Sequence, residues 1–383
     1  MTLELKRLSG PVLREGRIHT LTIGALYNRC NQAIDLTRHY ETVGSLTIKC
    51  GFCLLSSERK RRASQVSCLV ASMSSATYDI HLASSSEQHA AYVNVHEVWG
   101  GNVPLDDFLS HRYQSETHNR ADWFVLTVGE KVVSSLGRQP LQFQFCGKIL
   151  KGCGIGSVHT HPDYRQKGYA AALLRQVDQW SSEQGHQISL LFSDIDPGYY
   201  ARLGYERWPA DASICDRDML RNLSDEAVRL EPVQYQADDP LLPTFYQLWH
   251  RQDQLCIHRD TPYWNYSSNR KNVGSFFVVL DERDDPVGYI RARIKEEGCL
   301  QLTEFATDPD QPQSQRSIYR ALGVLAAEWE CSVVEGWFPA SSRVPKKPRE
   351  QAITMLRSLN QEVSLLDDPD LMQKSHFWMS DAF

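Results

Sequence analysis

The chain has 383 residues, 42% of them hydrophobic and 23% charged, with a formal net charge of -6, which is material for two or three domains and excludes collagen-like, coiled-coil and disordered classes. The acidic balance argues against a chain that wraps nucleic acid, because such binders carry a basic face. No window approaches the roughly 18 uncharged apolar residues needed to cross a bilayer as a helix. Ten cysteines are scattered without a regular framework and no signal-type apolar run precedes them, so a reducing, cytoplasmic setting is expected.

The first 75 residues read as an N-terminal extension, flexible or not essential, in which Met73 is the expected natural start. They hold the Cys50-Gly51-Phe52-Cys53 pair and the basic run Arg59-Lys60-Arg61-Arg62. The nearest other thiols, Cys30 and Cys68, lack the paired spacing of a second zinc half-site, so no metal is expected. The basic run reads as a solvated charged arm rather than a binding patch. Tyr78 to Leu82 alternates like a first strand, and Glu87 to Glu116 turns helical, broken at Gly100-Gly101-Asn102 into two short helices. Asp122 to Val128 and the run to about Leu136 make a hairpin about Gly129-Glu130-Lys131; Leu141 to Phe145 extends it, and Lys148 to Thr160 is the next strand, an antiparallel meander. Gly168 to Gln184 carries Ala171, Leu174, Val177 and Trp180 at three-residue spacing, with Ala170 and Leu173 beside them and Gly185 just past the end, which predicts an amphipathic helix. Ile188 to Phe192 is a short strand, Tyr199 to Leu203 a short helix, and Tyr205 to Trp208 begins another strand.

Beyond Pro209 the polar stretch Ala210 to Asp218 is expected to separate a second unit. There, Leu241 to Arg251 is helical, Phe276 to Asp281 and Val287 to Ile294 form a hairpin, and Leu300 to Thr307 is a strand. A helix over 315–330 and a strand Val333 to Phe338 follow. The order hairpin, strand, helix, strand repeats that of residues 123–192, a degenerate internal duplication seen in the order of elements and not in identity. Gln351 to Leu359 is expected to be helical.

The segment Val158-His159-Thr160-His161-Pro162-Asp163-Tyr164-Arg165-Gln166-Lys167-Gly168-Tyr169-Ala170 brings a strand, a Pro stop, a basic turn and a helix start together. A helix's first N–H groups lack internal partners and its dipole favours negative charge, so donors from Gln166 to Ala171 can cradle a pyrophosphate. Gly168 and Ala170 allow the close approach, and Arg165 and Lys167 add positive charge. An ordinary strand-to-helix connection could look the same. The position of the segment, after a meander and ahead of Tyr199-Tyr200-Ala201-Arg202-Leu203-Gly204-Tyr205, favours the phosphate site.

Together these two stretches resemble the signatures of the GNAT (Gcn5-related N-acetyltransferase) superfamily, V-x-[VT]-x-P-x-x-R-x-x-G-x-[GA] and F-Y-x-x-x-G-[FY], over residues 77 to 209. The resemblance implies an α/β (α+β) GNAT fold, a central mixed, mostly antiparallel sheet flanked by helices. It implies that Gly154 to Tyr205 binds acetyl-CoA as co-substrate. Val158, His159 and Thr160 would pair with the pantetheine arm; Arg165, Gln166, Lys167, Gly168, Tyr169, Ala170 and Ala171 would hold the pyrophosphate. Tyr200 matches the tyrosine that protonates the departing thiolate, a role its neutral phenol suits at ordinary pH. A merely packed aromatic at Tyr200, or Tyr199 in its place, is the competing reading. Cys146 and Cys153 have no partnered His spacing and read as small hydrophobes.

The tandem order is similar to that of the "enhanced intracellular survival" acetyltransferases, without their sterol-carrier-like domain. The place matching the phosphate loop in the second unit, Asp308-Pro309-Asp310-Gln311-Pro312-Gln313-Ser314-Gln315-Arg316, has no Gly. The expected layout is therefore a catalytic GNAT domain at 76–210 and a degenerate GNAT-like domain at 211–383. The expected activity is transfer of an acetyl group from acetyl-CoA to a primary amine, on a small molecule or a protein, by direct attack in a ternary complex. The alternative is a GNAT-fold acyl-CoA-binding regulatory protein without turnover. No motif fixes the general base; His96, Glu97 and Asp194 are candidates by location, and a carboxylate on Phe383 is a fourth. A homo-oligomer is compatible with the sequence.

Overall fold

The structure, a computed structural model, describes residues 77–383 apart from 224–226, 340–341, 343, 361–362 and 366–369. The Cys50/Cys53 pair, the basic run at 59–62 and Met73 lie outside the described residues.

The first half starts with strand β1 (Tyr78–Leu82), followed by helices α1 (Ser85–Trp99), α2 (Leu105–Tyr113) and α3 (Glu116–Arg120). Two helices were expected over 87–116; a third turn begins where the Ser115 hydroxyl accepts from the His118 N–H, a side-chain cap that restarts the helix. The meander β2 (Asp122–Val128), β3 (Lys131–Phe145) and β4 (Lys148–Thr160) leads into helix α4 (Tyr169–Glu183). Strand β5 (Ile188–Ser193), helix α5 (Pro197–Ala201) and strand β6 (Glu206–Arg207) close this half. Helix α4 buries Leu173, Leu174 and Val177 completely, each contributing about 1.5–3 kcal/mol by leaving water.

The second half runs β7 (Asp211–Asp216), α6 (Arg217–Arg221), β8 (Arg229–Val233), α7 (Leu241–His250), β9 (Leu255–His258), α8 (Thr261–Asn269), β10 (Ser275–Leu280), β11 (Pro286–Glu296) and β12 (Cys299–Thr307). It ends with α9 (Pro312–Glu328), β13 (Val333–Gly336), β14 (Lys347–Pro348) and β15 (Ile353–Ser358). The strands form two mixed, mostly antiparallel sheets, ordered β1-β2-β3-β4-β5-β15-β6 with β9 also on β3, and β14-β7-β13-β12-β11-β10-β8. In each sheet a hairpin, a third strand, a crossover helix and a parallel fourth strand recur: β4 pairs β5 and β12 pairs β13, both parallel. The second half is therefore GNAT-like in topology.

Two expectations are corrected. Gln351 to Leu359 is a strand, not a helix: β15 lies between β5 and β6 in the first sheet, and Ile353, Thr354, Met355 and Leu356 are all buried. A strand covered on both faces has no period-2 signal to read. The polar stretch at 210–218 is not a separator, since β7 pairs antiparallel with β13 in the second sheet. The second half thus lends β9 and β15 to the first sheet and takes no strand from the first half.

Candidate active site

The pairing of β4 with β5 runs from Gly152↔Ile188 to Ile155↔Leu191 and then stops. Strand β4 continues to Thr160 beside β3 alone, so its outer edge from Gly156 carries backbone groups with no strand partner. The register between β3 and β4 slips between Ser135 and Gly137, and Ser157 takes φ 53°, a left-handed conformation costly for a residue with a Cβ. This is a β-bulge, and its effect is to re-aim side chains. Cys153 and Ile155 lie in the core beneath α4; the extra residue brings Val158, not Ser157, against the same core. His159 is thereby turned to the other face, its ring 6.1 Å from that of Trp99 at the end of α1.

Between β4 and α4, Gln166 (φ 64°) and Gly168 (φ 80°) are both left-handed. Gly168 caps α4 with no side-chain hydrogen bond, and the first intrahelical bond is Ala172 N–H to the Gly168 carbonyl at 2.9 Å. The N–H groups from Gln166 to Ala171 make no hydrogen bond to any described residue. A Cβ on Gly168 would meet no protein atom within 4 Å, so the space in front of this nest of donors is open, as an approaching pyrophosphate requires. Arg165 donates back from Nε to the Thr160 carbonyl at 3.1 Å, pinning the loop to β4. Lys167 swings aside, its ammonium 4.8 Å from the centre of the Tyr164 ring.

One cleft of about 570 Å³ is lined by Val158, His159 and Thr160, by Arg165, Gln166, Gly168 and the first three residues of α4, and by Tyr199 and Tyr200. The structure thus brings together every residue picked from the sequence for the cofactor and the acid except Lys167. The two tyrosine rings meet edge to face at 5.1 Å. The Tyr200 ring is buried, yet its hydroxyl makes no hydrogen bond to a described residue. Burial, with smaller contributions from Tyr199 and Asp194, pushes Tyr200 up to about 12, further from a thiol than an ordinary phenol stands.

Of the residues suggested as bases, His96 hydrogen-bonds the Val103 carbonyl at 2.8 Å and, like Glu97, does not line the cleft. Asp194, at the end of β5, accepts from the Ala352 N–H at 2.9 Å. Burial pushes the Cys153 thiol up to about 12, as befits a small core residue. Burial, then Arg165 and His161, lowers His159 to about 4, so its ring is neutral at pH 7.

Sequence reasoning missed what lies across β4. A Cβ on Gly154 would fall 2.1 Å from Cζ of Phe383, and one on Gly156 would fall 3.3 Å from the Phe383 carbonyl oxygen. The signal was the alternation Gly152, Gly154, Gly156 in one strand, which clears one face for close-packed rings. The tail is held there by buried arginines. Arg259 pairs with both oxygens of Glu304 (2.9 and 3.1 Å) and with Asp381 at 2.8 Å. Arg270 donates to the carbonyls of Ser380 at 2.7 Å and Ala382 at 2.5 Å.

Residues 79–208 match the family model described as an acetyltransferase (GNAT) domain. Solved structures similar to the chain include a probable N-acyltransferase from Enterococcus faecalis V583 (TM-score 0.59, 15% identity, 74% of this chain and 73% of that one). A GCN5-related N-acetyltransferase from Anabaena variabilis ATCC 29413 follows (TM-score 0.57, 20% identity, 74% and 73%), and one from Kribbella flavida (TM-score 0.54, 19% identity, 74% and 71%). None of the curated proteins compared with this sequence matches it. The fold is that of these GNAT structures. Residues 79–208 thus form a GNAT domain, and the second half shares the GNAT-like topology of its sheet. Among the described residues no helix is long and apolar enough to cross a membrane, and no cluster of His, Cys, Asp or Glu is arranged to hold a metal.

Proposed function

We propose that this chain is an N-acetyltransferase that moves an acetyl group from acetyl-CoA to a primary amine, with residues 76–210 as the catalytic domain, β15 completing its sheet, and residues 211–383 as a degenerate GNAT-like domain. The observation that carries this reading is the single cleft joining an open nest of N–H donors, an unpaired strand edge and an unbonded tyrosine hydroxyl. The pyrophosphate takes the donors from Gln166 to Ala171, and the pantetheine arm adds to β4 at Val158 to Thr160. The amine nitrogen attacks the thioester carbonyl directly: a C–N bond forms, the C–S bond breaks, and Tyr200 donates its hydroxyl proton to the departing sulfur. The attacking amine gives up its proton to a base, for which Asp194 at the end of β5 is the candidate. Asp194→Asn tests it, since unchanged turnover removes Asp194 from the role.

Tyr200→Phe should lower kcat by tenfold or more, about 1.4 kcal/mol, while acetyl-CoA affinity measured by calorimetry stays unchanged; equal turnover removes Tyr200 from the acid role. The upward shift of Tyr200 favours a second reading, an acyl-CoA-binding regulatory protein that holds the thioester without cleaving it. No free thiol released from acetyl-CoA across a panel of amines, with tight binding retained, would select that reading.

A further inference from the structure

A second cleft, of about 320 Å³, lies on the side of the first sheet away from α4, between Trp208 and Thr354 of that sheet's end, Trp337 after β13, Arg349 after β14, and His376 in the tail. Its wall carries buried nitrogens that have nothing to bond. The Arg349 guanidinium stacks on Trp337, its carbon 3.4 Å from the ring centre, and Nη2 donates to the Thr354 hydroxyl at 2.9 Å. Its Nε and Nη1, the Trp208 indole Nε1 and the His376 Nε2 are all buried without a hydrogen-bond partner. A buried donor left without a partner is unfavourable, and more so when charged. The carboxylate lining this cleft is that of Asp211, an exposed residue; the Lys346 ammonium, at 3.4 Å from the Ser342 carbonyl, adds a second cation. Burial, only partly offset by Asp211, lowers Arg349 to about 9, as expected of a cation short of counter-charge.

An anion supplies what these groups lack. Stacking fixes the plane of the guanidinium, so the N–H bonds of Nε and Nη1 point in set directions along which oxygens of a carboxylate or phosphate can accept, a geometry Lys could not offer. The cleft also stands close to the reacting edge. Thr354 faces Phe192 across β15 and β5; the Phe192 ring packs on Trp337 at 5.8 Å and on Phe383 at 5.7 Å, and Phe383 covers Gly154 of β4. One layer of aromatic rings thus separates the cleft from β4, on the face opposite the α4 core.

We propose that this cleft recognises an anionic group, carboxylate or phosphate, carried by the amine acceptor, whose amine reaches from there to the edge of β4. The proposal rests on the acyl-transfer reading. Its first test does not: inorganic phosphate and acetate are titrated separately into the full chain by calorimetry. Saturable binding of at least one is expected, weakened about tenfold, or 1.4 kcal/mol, in Arg349→Gln and less in Trp208→Phe, which keeps an aromatic ring while removing the indole N–H. No saturable uptake, or uptake equal in wild type and both variants, overturns the site. The second test compares kcat/KM with acetyl-CoA for matched amines, an amino acid against its amide and an amino sugar against its phosphate ester. Preference of about tenfold for the anionic member of one pair, lost in Arg349→Gln, identifies the anion. Equal use of both members overturns the acceptor assignment while leaving acyl transfer standing; anion binding with no amine acetylated sinks the acyl-transfer reading and the acceptor assignment with it.

Discussion

The two strand-to-helix crossings of this chain share a topology and differ in what fills them. At the first, β4 leaves β5, two left-handed residues turn their N–H groups outward, and the start of α4 stays uncapped. At the second, the Asp308 side chain accepts from the Asp310 N–H at 3.0 Å and from Gln311 Nε2 at 3.2 Å, and Arg251 and Gln252 reach over to Asp308 and Asp310. Carboxylates stand where phosphate would have to enter. The space beside β12 is also occupied: Trp249 and Trp378 pack on Phe305 at 4.8 and 4.9 Å, and Glu304 is locked to Arg259. The same fold makes a binding site where the loop before the helix is left open and a closed loop where carboxylates and their partners tie it down.

The Arg259 clamp gives the largest expected effect. Arg259→Met leaves Glu304 and Asp381 buried without their cation, which should cost about 3–5 kcal/mol in chemical unfolding; a loss under 1 kcal/mol would show that the closed half does not depend on it. Acid should separate the halves next. Burial, and then Arg112, lowers His118 to about 3, and His159 stands at about 4. The unfolded chain binds those protons first, so their contribution to stability is present above 6.5 and is lost as pH falls toward 4. His376, buried near Trp378, adds to this early loss. Burial alone would raise Glu304, but Arg259 and Arg291 outweigh it and hold it at about 2; the stability it adds is complete above about 4.5 and lost only toward 2. Hydrogen exchange at pH 5 should therefore quicken around His118, His159 and His376 before it quickens around the Arg259–Glu304 pair. A smaller effect is expected where the tail meets the open strand: Gly154→Ala forces the Phe383 ring off β4 and should cost about 1–3 kcal/mol by overpacking, with turnover falling more than acetyl-CoA affinity.

What was legible in the sequence was what local chemistry dictates. Helix α4 shows its apolar face at helical spacing, and the loop from Arg165 to Ala171 announces itself by charge, Gly and a following amphipathic helix. Strand β15 was misread because Ile353, Leu356 and Leu359 sit at helix-like spacing, while burial on both faces erases the alternation that marks a strand. Strand β9 escaped because four residues carry no period at all. The clamp joins Arg259, Arg270, Glu304 and Asp381 from four separate elements, and no local pattern encodes such a meeting. The Gly152, Gly154, Gly156 alternation was readable, but only the tail explains it.

The smallest effects test the comparison most directly, because they place one substitution in each loop. Gly168→Ala puts a methyl group into open space at φ 80°, so its cost to stability is that of a left-handed non-Gly residue, about 1–2 kcal/mol. Its cost to acetyl-CoA affinity should be about tenfold or more, since the added carbon stands where the phosphates approach. Asp310→Asn in the second loop removes an exposed partner of Arg251 and should shift stability by no more than about 0.5 kcal/mol, with acetyl-CoA affinity unchanged. If calorimetry instead finds that Asp310→Asn alters acetyl-CoA binding, the second crossing takes part in the site, and the division into one open and one closed half is wrong.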